Sequence, residues 1–220
     1  MNALSLAIAS IRSRKLSSAL CILAVAAGIA LLSLSYSVSQ TITDSFRRNG
    51  AGIDMVVGAK GSPLQLVLSS VYHSDIPAGN FDLEDAEKIV SDPRVRLAVP
   101  LGMGDSYRGW RLVGSTKDYL GLYKAEIAEG RLNAEEHEAV AGALTDIAVG
   151  TRFNATHGFS AEGTDVHHDN SYIVTGRLKP TDTVLDRLIV TDIHSIQEAH
   201  EHEDGHAYAE DHHHESAHEH

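Results

Sequence analysis

The sequence predicts an α+β domain held outside a membrane by one N-terminal helix, and three observations predict it. Residues 16–38, LSSALCILAVAAGIALLSLSYSV, run 23 residues with no ionisable side chain except Cys21 and Tyr36. Downstream, short helix and strand patterns mix without the strict alternation of a βαβ fold. From Glu198 to His220 the chain turns to eight His and eight Asp/Glu with no Lys or Arg, a low-complexity composition that cannot bury a core. The expected organisation is a cytoplasmic amphipathic segment (1–15), a transmembrane helix (16–38), an extracytoplasmic domain (39–197) and a disordered His/Glu-rich segment (198–220).

A helix of roughly 20 apolar residues crosses the ~30 Å hydrocarbon layer of a bilayer. Ala24, Ala26, Ala27, Gly28 and Ala30 are poor filler for a soluble core, yet in a membrane they let another helix approach closely. Ala24, Ala27 and Gly28 are the expected packing residues. Arg12, Arg14 and Lys15 precede the span, and the first acid in the chain is Asp44. That asymmetry places the N-terminus in the cytoplasm and the main domain outside, in the periplasm or extracellular space. Arg47 and Arg48 on the far side soften it. A cleavable signal peptide has a shorter apolar stretch and fewer residues before it. A buried helix of a soluble protein rarely runs this far without a charge.

Charge is unevenly spread. Residues 1–60 carry six Lys/Arg against two Asp/Glu, and the remaining 160 carry 12 against 28, so +4 gives way to −16. A basic end beside the membrane and an acidic outer domain suit a lipid bilayer and argue against nucleic acid. Cys21, the one cysteine, lies in the span, so the outer domain holds itself together by its core alone.

In chain order, residues 39–49 continue the helix out of the membrane and end it near Asn49-Gly50. Residues 53–57 read as a short strand between glycines. For 63–71 both period two and a helical period fit; Ser62 as N-cap and Pro63 in the first turn favour a helix. Residues 81–91 form the clearest outer helix, with Asp82 as cap, Asp85 at the capping-box position and Leu83, Ala86, Ile89 and Val90 as the buried stripe. Asp92-Pro93 ends it. Residues 95–100 and 107–113 read as strands joined through 102–105. Residues 116–123 read as a short helix, Glu129-Gly130-Arg131 as a turn, and 139–149 as weakly patterned. A loop runs to Asn170, strands cover 172–178 and 187–190, and Asp192 caps a final helix.

Motif chemistry is sparse. Gly58-Ala-Lys60-Gly61-Ser62 has its Lys before the second Gly, so it is no phosphate loop, and no GxGxxG, GxSxG or HExxH occurs. Asp182 and Asp186 near Arg187 are an acid–base candidate, though such charges more often shape a turn. The chain is not expected to be an enzyme. Its sharpest chemical signal is the set His200, His202, His206, His212, His213, His214, His218 and His220, imidazoles interleaved with carboxylates. Zn²⁺ takes those donors, and a flexible chain can fold around it. A solvated acidic loop, a charge brush titrating near pH 6.5 and an affinity tag are the bland alternatives. His167-His168-Asp169 could add ligands. His73, His137 and His194 stand singly and read as ordinary surface or core histidines.

Several stretches together carry a family resemblance. LAIASIRSRKLSSALCILAVAAGIALL resembles the first membrane helix of FtsX/MacB-type ABC transporter permeases, in which a short amphipathic helix and a basic step precede a span rich in small residues. GIDMVVGAKGSPLQLVLSSVYHSDIPAGNF is similar to the start of their extracytoplasmic core domain. So are Val99-Pro100-Leu101-Gly102, Gly104–Gly109, Glu129-Gly130-Arg131 and the run from Thr175 to Arg187, TGRLKPTDTVLDR. Each motif is weak alone. Their combination extends to about Ile196.

The resemblance implies a MacB-like periplasmic core domain, a homodimer, a separate cytoplasmic ABC ATPase as partner, and motion of the outer domain driven by ATP. It also implies four membrane helices where this sequence carries one, so the expectation is a permease subunit or its N-terminal part. A different class competes: a membrane-anchored zinc-binding or zinc-sensing protein that needs no ATPase. A membrane-tethered enzyme ranks third for want of an active constellation.

Overall fold

The computed structural model describes residues 12–157 and 166–197. Two compact units result, Met1–Arg47 and Arg48–His220. The first is dominated by one helix, α1 (Lys15–Asn49), whose last two residues belong to the second unit. Leu20, Leu23, Val25, Leu31, Leu32 and Leu34 are all more than 60% exposed. Apolar on every face, α1 is long and apolar enough to cross a membrane. It ends at Asn49, where the Asn49-Gly50 pair was expected to end it.

The second unit mixes helices and strands, as expected. Two helices come first, α2 (Pro63–Ser70) and α3 (Leu83–Val90). Ser62 takes the N-cap position of α2 and Pro63 its first turn, although the Ser62 hydroxyl makes no capping bond. Asp82 caps α3: its carboxylate accepts from the backbone N–H groups of Glu84 and Asp85 at 2.8 and 3.4 Å. Lys88 closes on Glu84 and Asp85 at 3.1 and 3.0 Å.

The remaining elements are β1 (Leu101–Tyr107), β2 (Trp110–Ser115), α4 (Lys117–Leu122), β3 (Ile127–Gly130), β4 (Glu138–Ala141), β5 (Arg152–His157), β6 (Val166–Leu178), a 3₁₀ turn (Val184–Arg187) and β7 (Leu188–Asp192). They form a seven-stranded sheet in the order β3-β6-β4-β7-β2-β1-β5. β5 also pairs with the first half of β6, Phe153 opposite Tyr172, so six strands close on themselves and β3 lies beside the second half of β6. The β2–β7 and β4–β6 pairs are parallel and the rest antiparallel.

Period two divides the side chains between two cores. Leu112, Ala139, Ala141, Phe153, Ala155, Tyr172, Val174 and Ile189 pack on one face. Their neighbours Val113, Val140, Leu188 and Val190 pack on the other, with Tyr119 and Leu120 of α4 and Val184 and Leu185 of the 3₁₀ turn.

Five expectations are corrected. The stripe expected on α3 is not buried, since Val90 is 54% exposed and Ala86 and Ile89 are only half-buried. Residues 53–57 are irregular, because no strand among the described residues lies beside them to complete a ladder. Residues 95–100 are not a strand; β1 starts at Leu101 and passes through the glycines taken for a turn. Gly102 serves packing: a Cβ there would lie 3.0 Å from both Ile193 Cδ1 and Ile196 Cγ2, as one on Gly114 of the neighbouring β2 would drive into Ile196. The true hairpin turn is Arg108-Gly109, with φ of 52° and 82°, the left-handed pair a two-residue β-turn demands. Finally, the loop expected before Asn170 contains β5 and the start of β6, which runs from Val166 and includes His167, His168 and Asp169.

Candidate functional site

Two buried polar residues, Asn49 and Asp186, lie where the end of α1 meets the 180–187 turn within the second unit. A helix terminus leaves its last carbonyls without partners, and here other parts of the domain supply them. Asn49, 8% exposed, accepts the Val184 backbone N–H on its side-chain oxygen at 2.8 Å. Its backbone carbonyl accepts the Tyr123 hydroxyl at 3.1 Å. Arg48 Nε donates to the carbonyl of Asp182 at 3.1 Å.

The turn that receives these bonds is itself tightly organised. The buried Asp186 carboxylate accepts from the Thr181 N–H and hydroxyl, both at 2.8 Å, and from the Asp182 N–H at 2.9 Å. That pulls Asp182 into a left-handed φ of 55°. Thr183 caps the 3₁₀ turn through Leu185 N–H. Asp186 is thus spent on holding the turn through two backbone N–H groups and the Thr181 hydroxyl, which is the structural reading of this charge cluster.

From Tyr123 the network continues inward. Tyr123 meets Tyr119 edge to face at 5.6 Å, and the Tyr119 hydroxyl lies 2.7 Å from His73 Nε2. His73 is buried, with a positive φ of 47°. Burial first, then the nearby Arg111 charge, lowers its pKa to about 4, so the ring is neutral near pH 7. Burial raises both tyrosines, Tyr123 to about 12. His73 Nδ1 is buried without a hydrogen-bond partner among the described residues. The expectation of an ordinary core histidine holds for burial and fails for full satisfaction.

The Glu129-Gly130-Arg131 stretch also has a mechanical explanation. Arg131 grips Glu138 with both terminal nitrogens, and Glu138 also accepts the Ala134 N–H at 2.9 Å and the Glu135 N–H at 3.2 Å. The Arg131 hydrogen bonds lead in lowering the Glu138 pKa to about 2. Gly130, at φ 78°, and Gly176 face each other where β3 pairs antiparallel with β6; a Cβ on Gly130 would collide with the Thr175 carbonyl, and one on Gly176 with the Arg131 carbonyl. Arg177 ties the same corner to the carbonyls of Ala143 and Thr145 at 2.9 and 3.0 Å.

Ala24, Ala27 and Gly28 all fall on α1 and are exposed, and a Cβ on Gly28 would meet nothing within 4 Å. Their spacing of three and four puts them on one face. His200, His202, His206, His212, His213, His214, His218 and His220 lie outside the described residues. Among the described residues no cluster of three or more His, Cys, Asp or Glu could hold a metal ion. Sequence reasoning missed Asn49, Tyr119 and Tyr123 as a group. Their only linear trace is the helix-ending Asn-Gly pair.

A mixed α/β domain is preceded by a helix long and apolar enough to cross a membrane, and the domain turns its polar groups to its own backbone. The model of the MacB-like periplasmic core domain matches residues 18–210, and the chain belongs to that family, the extracytoplasmic domain of FtsX/MacB-type ABC permeases. Among solved structures the chain is similar to the periplasmic region of MacB from Actinobacillus actinomycetemcomitans, with 12% identity, 64% of each chain covered and a TM-score of 0.39. It is also similar to the extracellular domain of the noncanonic ABC-type transporter YknZ from Gram-positive bacteria, with 14% identity, coverage of 54% of this chain and 65% of that one, and a TM-score of 0.36. The chain thus spans a little under two thirds of either structure. No curated protein matches it.

Proposed function

We propose that the chain is the permease subunit, or its N-terminal part, of an ABC transporter in which a separate cytoplasmic ATPase drives motion of the outer domain, for export or for mechanical signalling. The family match over residues 18–210, led by an apolar helix, carries this reading. The subunit does no chemistry of its own and works as a dimer. Motion arriving along α1 has a defined point of entry in Asn49 and Arg48, whose bonds reach Val184, Tyr123 and Asp182.

The test is extraction of the full gene product from native membranes in mild detergent. An ATPase that co-purifies stoichiometrically, with vanadate-sensitive ATP hydrolysis, supports the reading. A chain that purifies alone, without hydrolysis, overturns it. Exchanging Gly28 for Leu should weaken the complex if the Ala24/Ala27/Gly28 face packs against other helices, and an unchanged complex would count against that role.

Zinc binding by residues 198–220 is a separate proposal, carried by their alternation of imidazole and carboxylate. Deleting the segment should abolish Zn²⁺ uptake in calorimetry while leaving the ATPase complex intact. Unaltered Zn²⁺ binding would refute it.

A further inference from the structure

The lead-in to the sheet, residues 50–100, is pinned at both ends. Asn49 holds one end to Val184 and Tyr123, and the Ser115 hydroxyl holds the other by donating to the Pro100 carbonyl at 2.7 Å. Between the pins, the described residues bury only Ser69, Val71 and His73, and neither α2 nor α3 packs extensively on a strand. Residues 71–75 form the middle attachment. There the Tyr119 hydroxyl of α4 lies 2.7 Å from His73 Nε2, and Arg111 of β2 donates to the Asp75 carbonyl at 2.8 Å. The Val71 and Ser74 N–H groups bond back to the Val67 and Leu68 carbonyls at 3.0 and 2.9 Å, so the same attachment closes the end of α2.

The His73 ring at its centre is poorly placed to take a proton. Nε2 meets Tyr119, and Nδ1 is buried without a hydrogen-bond partner among the described residues. A charged ring carries a hydrogen on both nitrogens, so protonation would bury a cationic N–H at Nδ1 with no acceptor. The charged and titratable groups that face the ring do not offset that cost. Arg111 of β2 repels the cation, Asp75 on the attachment itself attracts Arg111, and burial keeps Tyr119 and, at the end of α4, Tyr123 uncharged. His73 also sits at a left-handed φ of 47°, a conformation costly for a residue with a Cβ, which release would relax.

We propose that residues 71–75 are an acid-released latch: protonation of His73 undocks the lead-in from α4 and β2 between its two pins, while the sheet stays folded. The docked ring titrates near 4 and a released one near its ordinary 6.5, so the released form binds more protons between those values and acid favours it. From pH 7.5 to pH 5 the docking equilibrium shifts roughly 25-fold towards release. The latch is independent of the permease reading; on that reading, the acid it senses is that of the space outside the membrane.

The experiment is amide hydrogen exchange on the full chain in lipid nanodiscs at pH 7.5 and pH 5, with rates normalised to those of the unstructured peptide at each pH. Protection of the Val71 and Ser74 amides should fall roughly 25-fold on acidification, while the amides of β4 and β7 keep theirs. His73→Gln, which does not titrate, should give the 71–75 amides the same protection at both pH values, whatever its level. A fall shared by β4 and β7, no fall, or a fall that persists in His73→Gln overturns the latch. Should the glutamine variant fail to fold, hydrogen exchange at the His73 ring C2–H in the unsubstituted chain decides. A titration midpoint below about pH 5.5 supports the latch, and a higher one overturns it. Co-purification of the ATPase judges the permease reading separately.

Discussion

The lead-in of residues 50–100 and the closed sheet of residues 101–192 are both rich in aliphatic side chains, yet they use them in opposite ways. In the sheet Leu112, Val113, Ala139, Val140, Ile189 and Val190 are at most 2% exposed, alternating between two cores. In the lead-in the comparable residues Met55, Leu64 and Ile76 stand more than half exposed. Strands bury side chains on each other because the ladder brings distant segments together. An eight-residue helix such as α2 or α3 has no such device and is marginal without a packed face. Apolar content alone therefore says that a residue wants cover, and the topology says whether the chain provides it.

Substitutions should split along that line. Tyr172, buried and donating to the Ser195 carbonyl at 3.1 Å, is stacked on Phe153 and His137. Its replacement by Ala should cost about 3–5 kcal/mol in chemical denaturation. Gly176→Ala should cost about 1–3 kcal/mol, because the added methyl meets a backbone carbonyl that cannot swing aside. Asn49→Ala leaves the Val184 N–H buried without an acceptor, and a loss of about 1–3 kcal/mol with faster amide exchange at Val184 is expected. Leu64→Ala should stay within about 0.5 kcal/mol. A large loss at Leu64 would erase the contrast between the regions.

Acid should act within the described domain in two windows. His73 is neutral in the fold down to about pH 4 but protonates near 6.5 when unfolded. The unfolded state then binds more protons between those values, so stability falls as pH drops from 6.5 to 4, by up to about 1.4 kcal/mol per pH unit. Glu138, held near 2, stabilises the fold above its ordinary value of 4.5, and that contribution is lost as pH falls from 4.5 towards 2. Thermal melts from pH 7 to 4.5 should show the first slope, and His73→Gln should flatten it. An unflattened slope would place the titrating group elsewhere.

How much of this was legible depended on what each element needs. The capping of α3 by Asp82 needs two backbone amides a few residues away, and the reading of the sequence matched it. Nothing local told Gly102 from a turn glycine, because what excludes a side chain there is Ile193 and Ile196, about 90 residues on. The Thr175–Arg187 motif was visible as a pattern, but its purpose lies in contacts that no linear spacing displays.

By itself the sequence determined α1, the Asp82 cap of α3, and the split between a basic end and an acidic domain, since propensity, capping and hydropathy act over a few residues. The tertiary structure decided which apolar runs became strands. It turned residues 53–57 into irregular chain, extended β6 back to Val166, and made Asn49 an anchor for a turn 135 residues away. Ladder hydrogen bonds and buried polar pairs need a partner, and only the folded chain supplies it.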